Sequence, residues 1–326
     1  MTLLLQMDDR SWIWGGNLLY GLAFAIALFF VLRSRRHSRL LLFILIAAGF
    51  VLQTTGLYLR GLESQGCPLG NPFEILQFIV WSLIVIYMVI GPAFHMSLLG
   101  FFTSGLAATI GVASLLVPEW DAVRREELFG GNVWIELHAA LAIFSYGAFG
   151  VLALTSLMYL LQNYSLKHKK LEGVFHFLPS LYQLETMNFR LLILGTTVLT
   201  GSLLIGAQHW FRDFQSVNQG KLFVTTAIWA AYSSVLLLRI REMLISRALS
   251  WTCIILFLFA LLSIPPVDSN RKPEARPPES ARLERLSPSH LTDESPRAAP
   301  PLPGPKDSDG GAAGPPPAES RPTPPI

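Results

Sequence analysis

The chain contains about eight long apolar segments between residues 13 and 264, and they constrain its fold more than any other feature. About 20 apolar residues let a helix cross the hydrocarbon core of a bilayer, where every backbone polar group must be paired within the segment. We place the spans at 13–32, 40–59, 73–90, 93–117, 134–161, 188–208, 221–238 and 248–264. The sequence therefore predicts an all-α fold, a polytopic transmembrane helix bundle.

Prolines end three of the predicted spans. Gly91-Pro92 predicts a break between the third and fourth spans, because proline disfavours helix at itself and at the residue before it. Pro118 ends the fourth span and Pro265-Pro266 end the eighth. Residues 265–326 are rich in Pro, Ser, Glu, Arg and Gly, so we predict a disordered, Pro-rich C-terminal tail. We divide the rest into 1–39, a first transmembrane helix and basic loop, and 40–264, a larger transmembrane domain.

Composition excludes several classes of site. Only 14% of the residues are charged, against about 25% in a typical soluble domain. The two cysteines, Cys67 and Cys253, form no CxxC pair, which excludes a disulfide framework and a c-type haem attached to this chain. The net charge is only +3, so we expect no nucleic-acid partner. Asp8 and Asp9 precede the first apolar stretch, the reverse of the charge order of a cleavable signal peptide.

The distribution of basic residues predicts the orientation of the spans. The connections after spans 1, 5 and 7 carry ten lysines and arginines, and the opposite side carries six that acidic residues partly offset. Because basic loops stay in the cytoplasm, the ten-residue side is predicted to be cytoplasmic. Eight spans then put both termini outside, in a multi-pass protein of the cell inner (plasma) membrane.

His138 is the strongest candidate for chemistry. It lies one turn inside the predicted outer end of span 5, and Trp134, four residues earlier, shares its helix face. An ionisable group at this depth is costly unless it faces the bundle interior and finds a partner. A neutral imidazole is a good axial ligand of haem iron. The alternative is a structural histidine that bonds a neighbouring helix.

A second group of candidates follows span 6 on the same predicted face. It comprises His209, Trp210, Arg212, Lys221 and Trp229. Aromatic planes and cations together suit a planar macrocycle that carries two carboxylates, and His209 is a candidate second iron ligand. The alternative is the ordinary aromatic belt at a membrane surface.

The loop before span 3 contains a predicted helix cap. Asn71 before Pro72 suits an N-cap followed by proline at the first helical position, and Glu74 would complete a capping box. The cap is a sufficient structural reason for this motif. Cys67, in the same loop, is expected to be an unpaired thiol.

Three segments resemble the cytochrome c assembly family, the haem-handling membrane proteins of the CcsA and HemX type. The first runs from Asn71-Pro-Phe-Glu74 into a helix that contains Trp81. The second, the most specific, is His138-Ala-Ala-Leu-Ala-Ile-Phe-Ser145-Tyr146. The third runs from Arg190 through Gly201-Ser-Leu-Leu-Ile-Gly206. The resemblance implies that 40–264 is a cytochrome c assembly-like transmembrane domain.

The resemblance implies a function and a cofactor. By similarity, His138 is an axial ligand of non-covalent haem b, and residues 206–221 correspond to the family's tryptophan-rich haem-binding segment. That signature is reduced here to Gln208-His209-Trp210 and Asn218-Gln219-Gly220-Lys221, and residues 248–267 lack the second histidine. His209 is the candidate substitute.

The implied role is haem presentation at the outer face and haem delivery to apocytochrome c. Thioether attachment would require a partner membrane protein of the assembly system, so the chain is at most a component of a haem lyase. The alternative is a HemX-like regulatory or scaffolding protein of tetrapyrrole synthesis, without catalysis. A secondary transporter is less favoured, because paired broken helices and intramembrane carboxylates are few.

Overall fold

The structure is a computed structural model that describes residues 8–33, 38–64, 66–94, 97–121, 132–168, 178–210 and 219–264. These residues form eight α-helices and one 3-10 turn, with no strand among them. The helices are α1 (Asp9–Leu32), α2 (Arg39–Glu63), α3 (Pro72–Phe94), α4 (Ser97–Leu116), α5 (Val133–Lys167), α6 (Leu181–Trp210), α7 (Gln219–Ile240) and α8 (Ser246–Leu262), and the turn is Pro118–Asp121. The all-α prediction is confirmed.

The predicted spans coincide with the helices. Helices α1 to α7 are long and apolar enough to cross a membrane, and α8 is a shorter apolar helix of 17 residues. The helix bounds differ from the prediction by one to seven residues at nearly every end, as three examples show. Helix α3 continues through Pro92 to Phe94, so the break comes four residues later than predicted. Helix α5 has 35 residues, and α6 begins at Leu181, seven residues before the predicted span. The predicted tail, 265–326, lies outside the described residues.

Pro92 is tolerated because it lies in the last turn of α3. Proline removes one backbone hydrogen bond and crowds the preceding turn, and near a helix end few bonds follow that depend on it. The whole of α5 is about 52 Å long at 1.5 Å per residue, well beyond the roughly 30 Å of a hydrocarbon core. Apolar composition therefore marks the membrane-crossing part of these helices and not their ends.

Helices α1 and α2 pack with their backbones in contact. A Cβ atom on Gly16 would stand 2.8 Å from the Gly49 carbonyl oxygen, and one on Gly56 would stand 2.9 Å from the Asp9 carbonyl oxygen. Small residues at such crossings let helices approach closely in a membrane, where van der Waals contact and polar groups hold helices together. Since Gly56, late in α2, meets the start of α1, the two helices are antiparallel.

One end of the bundle is named the His138 end below. It is the end at which α1, α3, α5 and α7 begin and α2, α4 and α6 end. Three contacts establish the directions: Arg10 donates to the Leu115 carbonyl oxygen, Gly66 just before α3 lies against Glu136 in the first turn of α5, and His138 meets Ser202. The contacts make α4 antiparallel to α1, α5 parallel to α3, and α6 antiparallel to α5. An alternation of this kind is what successive membrane crossings require.

A buried amide network joins the first four helices. Gln77 accepts a hydrogen bond from the Gln53 side-chain amide at 2.8 Å and donates to the Ser114 hydroxyl at 2.8 Å. Asn17 donates to Gln77 at 3.3 Å, and Tyr20 donates to Gln53 at 2.9 Å. All five of these residues are fully buried. Each of the five residues thus bonds a side chain on another helix, while the Asn17 Oδ1 atom has no hydrogen-bond partner among the described residues.

A buried ionic cluster lies at the His138 end of the same four helices. The Arg60 guanidinium is 1% exposed and contacts the carboxylates of Asp9 at 2.6 Å, Asp121 at 2.6 Å and Glu74 at 3.3 Å. Arg10 reaches Asp121 at 3.3 Å. The cluster therefore fastens α1, α2, α3 and the 3-10 turn to one another.

The predicted cap of α3 is confirmed and is part of this cluster. The Glu74 backbone N–H donates to the Asn71 side-chain oxygen at 2.8 Å, and the Glu74 carboxylate accepts from the Gly70 N–H at 2.6 Å. The Phe73 ring lies 4.7 Å from the Arg60 guanidinium carbon. The expectation that capping alone explains the motif is incomplete, because Glu74 also neutralises Arg60.

Candidate functional site

His138 is placed by the first turns of α5. The Asn132 side-chain oxygen caps the helix by accepting from the Trp134 N–H at 3.1 Å. An N-cap of this kind satisfies one of the donors that a helix start leaves unpaired. The sixth residue of the helix is His138, and its side chain is half-buried. The imidazole therefore lies about one and a half turns inside the helix.

The His138 ring is bound to α6 through Ser202. Nδ1 lies 2.7 Å from the Ser202 carbonyl oxygen and 3.0 Å from the Ser202 hydroxyl. That hydroxyl donates to the His138 carbonyl oxygen at 2.8 Å. A carbonyl oxygen only accepts, so Nδ1 carries the proton and the lone pair of the neutral ring resides on Nε2. Ser202 thus binds both the ring and the backbone of His138.

Gly206, one turn beyond Ser202, lies directly against the ring. A Cβ atom on Gly206 would stand 2.7 Å from both Cε1 and Nδ1 of His138 and 3.2 Å from Nε2. Real Cβ atoms do not approach other atoms that closely, so the ring occupies the space that any larger residue would fill. The imidazole is held against the bare backbone of α6.

The aromatic candidates differ in their surroundings. The indole N–H of Trp229 on α7 donates to the Thr200 hydroxyl on α6 at 2.9 Å, two residues from Ser202. Trp134 is 65% exposed. It precedes His138 by one turn of α5, and its ring is not enclosed by the bundle. Because residues two positions apart on a helix do not share a face, Trp229 and His138 bond different faces of α6.

Four predicted site residues have side chains outside the described part of the chain. The backbones of His209 and Trp210 form the last turn of α6, and that of Lys221 lies in the first turn of α7. Arg212 lies in the connection between those helices, which is not described. Both helix ends belong to the His138 end.

The loop before α3 meets α5 close to His138. A Cβ atom on Gly66 would stand 2.7 Å from the Glu136 carboxylate oxygen Oε1, and Glu136 precedes His138 by two residues. The neighbouring Cys67 is a free cysteine. Burial, and then the negative charges of Glu136 and Glu74, raise the pKa of Cys67 to about 11. The thiol is therefore protonated near neutral pH and is a poor nucleophile.

Comparison with known proteins identifies the family. The family model described as "Cytochrome C assembly protein" matches residues 69–269, from the loop before α3 to beyond the end of α8. The chain belongs to the cytochrome c assembly family. The match contains His138, Ser202, Gly206 and Trp229, whereas α1 and α2 precede it.

Three relatives within the comparison differ in how much of the chain they match. A protein named HemX from Brevibacillus brevis is 31% identical over 203 residues, 61% of this chain and 74% of that protein. HemX of Bacillus subtilis (strain 168) is 25% identical over 226 residues, 67% and 80% of the two chains. The cytochrome c biogenesis protein CcsA of Cyanidium caldarium is 31% identical over 119 residues, 35% and 39%.

The donor set of this family member fits one axial ligand to haem iron. Ring nitrogens that bind metals usually have the other ring N–H bonded to a carboxylate, a carbonyl or water, which fixes the tautomer and the ring orientation. His138 has that arrangement with the Ser202 carbonyl. Among the described residues, no group of three or more His, Cys, Asp and Glu side chains could hold a metal ion.

Sequence reasoning included Ser202 and Gly206 in the segments of the resemblance but missed that both contact His138. The signal was present, because two small residues four positions apart on an apolar helix mark a surface where another helix approaches closely. These two small residues do not reveal which side chain of the approaching helix fills the space beside them. That residue is 64 positions away in the sequence.

Proposed function

We propose that this protein binds haem b non-covalently at the His138 end of the bundle and presents it to apocytochrome c during cytochrome c assembly. The observation that carries the proposal is the hydrogen bond from His138 Nδ1 to the Ser202 carbonyl oxygen at 2.7 Å. It puts the lone pair on Nε2, the atom that would ligate iron. Haem, when bound, supplies the iron that accepts this lone pair and the vinyl groups to which cysteines of an apocytochrome attach.

The chain's own residues would bind and orient the macrocycle. His138 is the proposed axial ligand, and Trp134, Trp210 and Trp229 are proposed to pack on the apolar plane. Arg212 and Lys221 are proposed partners of the two carboxylates, since Arg212 follows the end of α6 in the sequence and Lys221 is in the first turn of α7, and both helix ends belong to the His138 end. His209 is the proposed second ligand, because it is in the last turn of α6, one turn beyond Gly206.

Attachment of haem to protein is assigned to a partner. We propose that a second membrane protein of the assembly system receives haem from this chain and forms the thioether bonds, so that this chain is a component of a haem lyase. The proposal puts the His138 end on the outer side of the plasma membrane, as the count of basic residues predicts. The membrane location itself is supported by the seven long apolar helices.

A haem spectrum tests the proposal. The protein is purified in detergent after expression with excess haem, and the Soret band is compared between wild type, His138→Ala and His209→Ala. We expect near-stoichiometric haem in wild type and at least a tenfold loss of occupancy in His138→Ala, with a band shift in His209→Ala if His209 is the second ligand. Wild-type protein without haem, or a His138→Ala variant with full occupancy, would contradict the proposal.

The second candidate is a regulatory or scaffolding protein of tetrapyrrole synthesis. The observation that favours it is that the two HemX proteins match 61% and 67% of the chain, whereas the CcsA proteins match between 30% and 57%. Deletion of the gene separates the two proposed functions. Deletion of the protein should abolish covalent c-type cytochromes under the first proposal, and should change the cellular tetrapyrrole level with c-type cytochromes intact under the second.

A further inference from the structure

The inference concerns how His138 is oriented, and it rests on the proposed function of that residue. Residues 202 and 206 lie one turn apart on α6, so they share the face that meets α5. Both contact the His138 imidazole, one through a hydrogen bond and the other through the space that it leaves. The Ser202 carbonyl oxygen accepts a hydrogen bond from the Nδ1–H group at 2.7 Å, and the absent side chain of Gly206 leaves the space in which Cε1 and Nδ1 lie.

The Ser202 hydroxyl adds a second restraint. It lies 3.0 Å from Nδ1 and donates to the His138 backbone carbonyl at 2.8 Å. The Ser202 side chain is fully buried, so these bonds are not exchanged with water. One residue thus fixes the ring relative to its own helix backbone as well as relative to α6.

Gly206 is at a position where glycine is unfavourable for the helix itself. Glycine in a helix interior costs about 1 kcal/mol relative to alanine, and Gly206 lies within α6, one turn before its end. A methyl group there would collide with the His138 ring at 2.7 Å. Gly201, on the same helix, has no atom within 4 Å of the position of a Cβ. The two glycines are therefore a matched pair that differ in contact with the ring.

We propose that Ser202 and Gly206 are positioning residues that form a socket for the His138 imidazole and present Nε2 to a haem iron in a single tautomer and orientation. The socket is made by a backbone carbonyl, a hydroxyl and bare backbone, and none of these carries a charge. It acts through His138 and does not itself touch the macrocycle.

The test compares Gly206→Ala with Gly201→Ala. Both substitutions raise helix propensity equally, and only the first displaces the ring. We expect Gly206→Ala to lower haem affinity about 10- to 100-fold, as loss of a ligand's supporting contacts does, and Gly201→Ala to leave it unchanged. Ser202→Ala keeps the carbonyl and loses the hydroxyl, so a smaller loss of a few-fold is expected. Wild-type affinity in Gly206→Ala would overturn the proposal.

A second readout needs no haem. In protein labelled with ¹⁵N-histidine, NMR reports which ring nitrogen carries the proton, and the His138→Ala spectrum identifies the resonance. We expect the Nδ1–H tautomer in wild type and Gly201→Ala, and a changed spectrum in Gly206→Ala. If Gly206→Ala does not fold, Ser202→Ala takes its place: the backbone carbonyl remains, so the Nδ1–H tautomer should persist while haem affinity falls a few-fold, and an unchanged affinity there overturns the socket.

The two readouts separate the inference from the proposed function. A wild type that binds no haem but has a fixed Nδ1–H tautomer would contradict the haem-binding function and leave the socket in place. A wild type that binds haem through His138, with Gly206→Ala identical to it in affinity and NMR spectrum, would contradict the socket alone.

Discussion

The ionic cluster around Arg60 and the socket around His138 lie at the same end of the bundle. Both hold an ionisable side chain inside an apolar bundle, the first with charged partners and the second with uncharged ones. Arg60 is neutralised by the carboxylates of Asp9, Glu74 and Asp121. His138 is bonded by the carbonyl and the hydroxyl of Ser202, which carry no charge. The charges in the cluster compensate one another. The imidazole, by contrast, keeps its proton on Nδ1 and its lone pair on Nε2. The cluster therefore stabilises the fold, whereas the socket orients the His138 imidazole as a ligand.

The largest expected effect is that of Arg60→Met on stability. Removal of the guanidinium leaves three carboxylates facing one another in a buried site, and loss of one partner of a buried ion pair costs about 3–5 kcal/mol. Unfolding of the purified protein in detergent, by heat or by denaturant, measures it. Arg10→Met is the control, because the Arg10 side chain is 29% exposed and such pairs contribute about 0–1 kcal/mol. Equal losses in the two variants would show that the cluster is not a stabilising unit.

Cys67 reports on the contact between the two regions, because Glu74 belongs to the cluster and Glu136 to the start of α5. Burial, Glu136 and Glu74 raise the pKa of Cys67 from an ordinary value of 9.0 to about 11. The thiolate is the reactive form, so alkylation at pH 8 should be roughly a hundredfold slower than for an exposed thiol. The rate should keep rising with pH up to about 11.

The Cys67 experiment uses an alkylating reagent in the Cys253→Ala background, over pH 7 to pH 11. Glu136→Gln should accelerate alkylation, because loss of a nearby negative charge lowers the pKa of the thiol. The control is Glu119→Gln, a carboxylate in the 3-10 turn that is not a cause of this shift. A rate that levels off near pH 9 would mean that the loop does not bury the thiol against α5.

Gln77→Leu tests the uncharged network beneath the cluster. The substitution removes the acceptor of Gln53 and Asn17 and the donor to Ser114. Buried groups left without a partner cost about 1–3 kcal/mol, and hydrogen bonds within membranes are individually modest, so we expect a loss of about 2 kcal/mol. The measurement is the same unfolding experiment as for Arg60.

Thr109→Val is the matched control for Gln77→Leu. The Thr109 hydroxyl bonds only the Gly105 carbonyl of its own helix among the described contacts, and its side chain is exposed. The free energy of unfolding should change by less than about 0.5 kcal/mol. A Gln77→Leu variant as stable as Thr109→Val would indicate that apolar packing replaces the network at no cost.

The smallest expected change in stability is that of His138→Ala. It removes one half-buried ring and the hydrogen bond to the Ser202 carbonyl, and we expect a loss of about 1 kcal/mol. The same variant should lose haem almost completely. A destabilisation as large as that of Arg60→Met would remove the distinction between the two regions and make His138 a structural residue.

The sequence predicted the helices well because hydropathy is a property of each segment by itself. Each predicted span overlaps one helix, and the Asn71 cap with Glu74 was also predictable, since its residues lie within four positions. The helix ends were less accurate. Helix α6 begins seven residues early because the helix continues beyond the apolar stretch, where hydropathy no longer marks it.

The candidate site was predicted only in part. His138 was recognisable as an ionisable residue inside an apolar span. Its partners were not, because Ser202 and Gly206 are ordinary small residues whose role depends on which helix packs against them. The role of Arg60 was missed for the same reason, since its three carboxylates come from α1, α3 and the 3-10 turn.

The sequence by itself determined the number of helices, where they cross the membrane and which residues are too polar to face lipid. These follow from the cost of placing backbone and side-chain polar groups in hydrocarbon, which each segment bears alone. The tertiary structure decided which polar groups satisfy one another. Arg60 with three carboxylates and His138 with Ser202 are pairings between distant segments, and packing of one helix on another is what brings such groups within hydrogen-bond distance.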